Sequence, residues 1–262
     1  MRIFVTGASG FVGGAATKRL VRDGHEVRAM SRSEAADGAI RALGAEPVRC
    51  DLETVSAEHV GEAEIVLHCA AYVEQWGPPD AWKRANVDGA ARMLEAARGA
   101  GAGRFIHIGT EAALFRGQHL RGADESYPLA PRSPYPYSAT KAQAELLVRQ
   151  ANSRTFETIV LRPRFIWGPG DTTLLPTLEA MARSGRFMWI DHGRARTSST
   201  HIDNLVQAIT LALTKGFGGE AYFILDDGVH TMRQMLSGMA AARGIALPDR
   251  SAPSWLADAI GA

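Results

Sequence analysis

Residues 1–13 read Met1-Arg2-Ile3-Phe4-Val5-Thr6-Gly7-Ala8-Ser9-Gly10-Phe11-Val12-Gly13, and this stretch decides the fold. Ile3 to Val5 is a short apolar run of the kind buried in a parallel strand. Gly7, Gly10 and Gly13 follow at G-x-x-G-x-x-G spacing, and Val12 to Val21 carries a helical pattern. Strand, glycine loop and helix in this order make a phosphate-binding turn. Glycines allow the tight turn and the close approach of backbone to a pyrophosphate. The helix start adds free N–H groups and a positive dipole end. Gly7, Ser9, Gly10, Phe11, Val12 and Gly13 are expected to contact a dinucleotide.

Working outward, strand-like runs alternate with helical ones. Val27–Met30, Pro47–Cys50, Glu64–Cys69, Arg104–Ile108 and Thr158–Leu161 read as strands. Ala35–Leu43, Ala81–Arg98 and Ser138–Gln150 read as helices. The alternation predicts an α/β fold, a doubly wound parallel sheet of Rossmann type. Beyond residue 163 the pattern changes to Gly- and Pro-rich loops such as Trp167-Gly168-Pro169-Gly170. Residues 1–163 are expected to form the dinucleotide-binding core with its catalytic helix. Residues 164–262 are expected to be substrate-side segments over the carboxyl edge of the sheet, not an independent domain. Pro253 to Ile260 reads as a helix cut short.

Of the 262 residues, 46% are apolar and 22% charged, which suits a globule with a real core. The formal net charge of +1 gives no electrostatic case for a nucleic-acid partner. Two cysteines, Cys50 and Cys69, do not make a disulfide scaffold. The chain has no membrane-span stretch and no signal-peptide pattern, so a cytoplasmic protein is expected. No Cys/His cluster has zinc spacing, so no metal is expected. His68 and His107 read as satisfied core histidines.

The second strand ends in Ser31-Arg32, where an acidic residue would hold the ribose 2′-hydroxyl of NAD. An arginine there binds a 2′-phosphate as a forked donor, which favours NADP and leaves NAD possible; the alternative is a solvated arginine. Asp51-Leu52 either closes over an adenine, or Asp51 is a plain helix cap. Tyr137-Ser138-Ala139-Thr140-Lys141 puts a phenol and an ammonium four residues apart on one helix face. The ammonium is expected to lower the phenol's pKa toward that of a usable base.

Together the motifs resemble the extended short-chain dehydrogenase/reductases, in the branch of the NAD-dependent epimerases/dehydratases and 3β-hydroxysteroid dehydrogenases. The resemblance rests on TGASGFVG, His68-Cys69-Ala70-Ala71, Asn86-Val87-Asp88-Gly89, Tyr137-x-x-x-Lys141 and Leu161-Arg162-Pro163, and covers residues 1 to about 230. It implies that Tyr137 is the general acid/base, that Lys141 holds the nicotinamide ribose, and that Thr110 orients the substrate oxygen. It implies that Ala70, Ala71 and Asn86 line or support the cofactor site, with Pro163 and Ile166 near the nicotinamide. His201-Ile202-Asp203-Asn204 looks like a substrate-side element with a structural histidine. A homodimer through the two long helices is implied, with Ala85, Ala142, Leu146 and Arg149 as a candidate face.

The implied reaction is hydride transfer between a nicotinamide and a hydrophobic secondary alcohol or ketone, as in 3β-hydroxysteroid dehydrogenases and ketone reductases. Thr110-Glu111-Ala112 lacks the acid pair of sugar dehydratases. Arg194 and Arg196 either serve a sugar-nucleotide diphosphate or form a solvated basic loop. A sugar-nucleotide epimerase with retained NAD, and a dinucleotide sensor without chemistry, are the alternatives. Asp124-Glu125 reads as a surface loop near the substrate mouth. Trp76, Trp82, Trp167 and Trp189 form an apolar substrate wall or ordinary packing. The chain is short for the extended class, so a simplified substrate lid is expected.

Overall fold

The computed structural model describes residues 1–73, 77–253 and 255. The chain divides into two compact units. One is Met1–Pro163 with Asp203–Ile224, and the other is Arg164–Ile202 with Leu225–Ala262. In the first unit, β1 (Arg2–Thr6), β2 (Glu26–Ser31), β3 (Glu46–Arg49), β4 (Ile65–His68), β5 (Arg104–Ile108) and β6 (Glu157–Pro163) share one parallel sheet with the strand Ala221–Ile224. The order across the sheet is Ala221–Ile224, β6, β5, β4, β1, β2, β3. It reverses direction beside β1, the kind of switch point where open α/β sheets bind ligands at their carboxyl edge.

The crossovers are α1 (Phe11–Arg22), α2 (Glu34–Ala42), α3 (Ala57–Val60), α4 (Pro79–Trp82), α5 (Gly89–Gly99) and α6 (Pro136–Gln150). Both sheet faces are covered, so the central strands are apolar throughout: Ile3, Phe4, Val5, Val66, Leu67, Phe105 and Ile106 are at most 1% exposed. Pro136 opens α6 at the first helical position, where its missing N–H costs nothing. Lys83–Asp88 is a π-helical segment between α4 and α5. The long helix expected from Ala81 is therefore one helical run with an extra residue wound into it.

Residues 203–224 differ from the expectation for 164–262. They belong with the sheet, to which they add its seventh strand, Ala221–Ile224. The second unit contains helices Leu174–Arg183 and Met232–Ala241, packed through Leu175, Met235 and Met239. Trp189 is buried beside Phe187, and its Nε1 donates to the Pro248 carbonyl at 3.0 Å. Trp167 Nε1 donates to Asp226 at 2.9 Å. These two rings are held by packing and hydrogen bonds within their own unit. Trp76, and the helix read at Pro253 to Ile260 apart from Pro253 and Trp255, lie outside the described residues. Among the described residues no helix is long and apolar enough to cross a membrane.

Candidate active site

The loop after β1 has the form its glycines suggest. Gly7 sits at φ 72°, and the Gly10 N–H closes the turn on the Gly7 carbonyl at 3.0 Å. A Cβ on Gly13 would lie 2.2 Å from the Gly7 oxygen, so only glycine lets α1 start this close to β1. Gly10 is the N-cap of α1 and no side chain caps that end. Ser9 and Gly10 are exposed, Gly7, Phe11 and Val12 are half-buried, and Gly13 is buried. Ala70 packs its backbone against Gly7, and its N–H donates to Thr6 Oγ1 at 3.0 Å; Ala70 and Ala71 are both half-buried. An uncapped helix start above a glycine cradle fits a pyrophosphate.

At the ribose end the expected residues divide. Ser31 is 1% exposed, and its hydroxyl donates to Asp37 and to the Ser33 carbonyl. That hydroxyl is committed inside the protein, and Asp37 is in turn paired with Arg49. Arg32 is exposed, and its charge acts on the Asp51 carboxyl. Asp51 Oδ1 accepts from the N–H groups of Glu53 and Thr54 and from the Thr54 hydroxyl, at 2.8–2.9 Å. These bonds, chiefly the hydroxyl's, hold its carboxyl below the usual range and close a turn at residues 51–54; the N-cap of α3 is Ser56, so Asp51 caps no helix. Leu52 is half-buried on the core beside Gly89.

Asn86 lies on the π-helical segment and is 3% exposed. Its Oδ1 accepts from the Tyr72 N–H at 2.8 Å, and its Nδ2 donates to the Tyr72 carbonyl at 3.2 Å and to Thr140 Oγ1 at 3.3 Å. It thereby ties the chain after β4 to α6. Trp82 is buried against Tyr72 in an edge-on contact and belongs to the core. Pro163 is the buried last residue of β6, while half-buried Ile166 pairs with Thr200 in the second unit. There His201 packs edge-on to Trp167, and its backbone N–H donates to Asp226 at 2.6 Å. Arg194 is ion-paired with Asp191, and exposed Arg196 lies in a two-residue strand.

Along one face of α6 run Tyr137, Lys141 and Glu145, each four residues from the next. Lys141 is 3% exposed; its Nζ donates to the Ile108 carbonyl at 2.7 Å and lies 3.5 Å from His107 Nε2. Burial pulls the lysine down to about 8, against the opposing pull of Glu145. The phenol goes the other way from the sequence expectation. Burial, and then the charge of Glu111, push Tyr137 up to about 12, while a hydrogen bond with Thr110 opposes them. The Lys141 head is engaged with Ile108, and an acid rather than a cation dominates around the phenol. Thr110 is 8% exposed, accepts from the Ala112 N–H at 3.2 Å and donates to Glu111 at 3.1 Å.

Behind this face lies a fully buried ion pair that pattern reading missed. Arg162 of β6 and Glu145 are both 0% exposed, with Arg162 Nε 3.1 and 3.2 Å from the two carboxylate oxygens. Arg162 also donates to the Glu125 carbonyl at 3.4 Å, and Glu125 Oε1 accepts from the Phe223 N–H at 2.9 Å, so the Asp124-Glu125 loop is pinned to the sheet. Exposed Phe165 is a second missed feature, in the left-handed region at φ 40° with the Arg164 guanidinium 4.7 Å from its ring centroid.

The strand ends carry a polar row. Register pairs Thr6 with His68 and His68 with His107. His68 Nδ1 lies 2.8 Å from Thr6 Oγ1, and the two imidazoles stack at 5.3 Å. Burial and the Lys141 charge lower His68 to about 3 and hold His107 well below its usual value. Both rings are neutral in the fold and protonated when unfolded in acid, so the unfolded chain binds more protons below the ordinary value of 6.5. The stability present above that pH declines as pH falls toward the folded-state values. Urea titrations between about pH 6 and pH 5 are expected to lose up to about 3 kcal/mol per pH unit, the slope for two protons. A flat profile there would contradict the buried neutral pair. Among the described residues no cluster of three or more His, Cys, Asp or Glu could hold a metal.

The profile of the NAD dependent epimerase/dehydratase family matches residues 3–224. The chain is 43% identical over 247 residues to the 4-hydroxy-2-methyl-3-oxo-4-farnesyl-3,4-dihydroquinoline-1-oxide ketoreductase of Stigmatella aurantiaca, covering 94% of this chain and 74% of that one. It is 37% identical to the 2-alkyl-3-oxoalkanoate reductase of Stenotrophomonas maltophilia, over 100% of this chain and 82% of that one. The fold is similar to that of the UDP-glucuronic acid 4-epimerase from Bacillus cereus solved in complex with NAD. There the TM-score is 0.81 at 21% identity, covering 97% of this chain and 88% of that one. The chain therefore belongs to the NAD-dependent epimerase/dehydratase family, as an NAD(P)-dependent oxidoreductase with the extended short-chain dehydrogenase fold.

Proposed function

We propose that the chain is an NADP(H)-dependent ketoreductase acting on a ketone with a large apolar portion. The observation that carries this reading is the place of Tyr137, on α6 one helical turn from Lys141 and beside the Thr110 hydroxyl. Its phenol, pushed up to about 12 beside the Thr110 hydroxyl, is a protonated donor at neutral pH. Reduction of a ketone needs such a donor, because negative charge grows on the carbonyl oxygen as hydride reaches the carbon. The reduced nicotinamide, when bound, supplies the hydride. Thr110 orients the carbonyl oxygen, Tyr137 gives it the proton, and Lys141 supplies a positive charge one helical turn from Tyr137 as phenolate forms. The similarity to a ketoreductase and a 2-alkyl-3-oxoalkanoate reductase supports a ketone carried on an apolar chain. In this reading Arg164–Ile202 and the residues from Leu225 onward keep the substrate-side role.

Arg32 supports NADP over NAD. It is the exposed cation at the end of β2; Asp37 is already paired with Arg49 and hydrogen-bonded by Ser31, and Asp51, on which the Arg32 charge acts, is held by Thr54. Ser31 has no free hydroxyl to offer, so the 2′-phosphate reading rests on the guanidinium. Arg32→Gln is expected to weaken NADPH binding by about tenfold or more, the size of one charge-assisted hydrogen bond, and to leave NADH binding unchanged. Calorimetric titration of both cofactors tests it; equal losses for the two would remove the case for NADP. The homodimer remains part of the reading, with half-buried Leu146 and Arg149 on the candidate face. Ala142 is withdrawn from that face, because it is 0% exposed inside the protomer.

A further inference from the structure

We propose that His107 is a positioning residue for Lys141. Its neutral ring, protonated at Nδ1, accepts one ammonium hydrogen at Nε2; the Ile108 carbonyl accepts a second, and the third is left for the reacting side of the site. The proposal rests on the role given above to Lys141, and it gives a function to a histidine whose sequence pattern marks only a core position.

The geometry requires this tautomer. An ammonium has three donors and no acceptor. His107 Nε2, 3.5 Å from Lys141 Nζ, can therefore interact favourably only as the bare nitrogen. That spacing is at the long limit for a hydrogen bond. The ring proton then sits on Nδ1, and Nδ1 is buried with no partner. A buried N–H without an acceptor is costly. A phenylalanine in the same stack on His68 would avoid that cost, so packing alone does not account for an imidazole here. An acceptor for Lys141 does. The lysine is 3% exposed and has lost its water, so its charge depends on what the protein offers. The ring is held in place by the His68 stack at 5.3 Å and 29°, and His68 in turn is fixed by Thr6 Oγ1.

The titratable groups facing Lys141 are His68 and Cys69 from the end of β4, His107 from β5, and Tyr137 and Glu145 on its own helix. Glu111 stands beyond Tyr137, and Arg162 of β6 stands behind Glu145. Glu145 and His107 both favour the ammonium, but only His107 is a neutral acceptor whose removal leaves the charge count unchanged. Its effect can therefore be read separately.

The sequence contains four lysines, Lys18, Lys83, Lys141 and Lys215, so carbon-13 NMR of lysine-labelled protein can follow Lys141 individually, assigned by Lys141→Met. His107→Phe is expected to lower the Lys141 titration by about one pH unit, the scale of one lost hydrogen bond to a charge. His107→Gln, which keeps a side-chain acceptor, is expected to restore most of it. Nitrogen-15 spectra of the wild-type imidazoles are expected to show His107 protonated at Nδ1 and bare at Nε2, and this measurement needs no variant to fold. A proton on Nε2, or an unchanged Lys141 titration in a folded His107→Phe protein, overturns the proposal. None of these readings depends on turnover, so they stand apart from a failure of the ketoreductase reading, which would show as full activity of Tyr137→Phe.

Discussion

Tyr137→Phe is expected to cut kcat for ketone reduction by about 10²- to 10⁴-fold, the usual contribution of a positioned general acid. The substitution removes one oxygen from a half-buried ring and leaves the packing of α6 intact. The affinity for NADPH and the thermal midpoint should therefore stay close to wild type, while kcat and kcat/KM fall together. That pattern marks an interaction made in the transition state rather than in binding. A smaller fall accompanied by a large rise in KM would mean that the phenol only binds substrate. Glu111 sharpens the test. Its charge helps to hold the phenol protonated, so Glu111→Gln should move the Tyr137 titration downward while Tyr137→Phe abolishes it.

The second large effect concerns stability. Glu145→Leu is expected to destabilise the fold by about 3–5 kcal/mol, because it leaves the wholly buried Arg162 guanidinium without its carboxylate. Arg162→Met should cost less. Glu145 retains Arg149 at 4.0 Å and the neighbouring charge of Lys141, whereas Arg162 would keep the Glu125 carbonyl and the Phe223 ring but no carboxylate. The double substitution should be milder than the sum of the two, since no buried charge is then left alone. Urea unfolding of the three variants checks the order. Equal losses from both single substitutions would mean that Arg149 and Lys141 give Glu145 no support.

The first strand, the glycine loop and α1 were legible because each part restricts the next: an apolar run, three glycines, then a helical pattern. The shared helix face of Tyr137 and Lys141 was legible because four residues make about one helical turn. What escaped has physical reasons. Arg162 and Glu145 lie 17 residues apart on a strand and a helix, and nothing local marks either as buried. The π-helical segment around Asn86 adds a residue without disturbing the apolar spacing that reveals a helix. Ser31 looked free because a strand end says nothing of Asp37 reaching over from α2. The phenol's direction of shift was misjudged because helical spacing brings Lys141 near Tyr137 but does not show which carbonyl the ammonium prefers. His107 looked ordinary because alternation along β5 identifies a buried ring, not the lysine beyond it. Ala221–Ile224 returned to the sheet from a region whose loops had hidden it.

The central claim is that this chain moves hydride from a nicotinamide to a ketone while Tyr137 supplies the proton. The measurement closest to it is incubation of the protein with NADPH deuterated at C4 and a 2-alkyl-3-oxo acid, with mass analysis of the product. The expected product is a hydroxy acid carrying deuterium on the carbinol carbon, formed in step with NADPH oxidation and about 10²- to 10⁴-fold more slowly by Tyr137→Phe. Binding of NADPH without any deuterated alcohol across a panel of apolar ketones, or deuterated product formed by Tyr137→Phe at the wild-type rate, would contradict it.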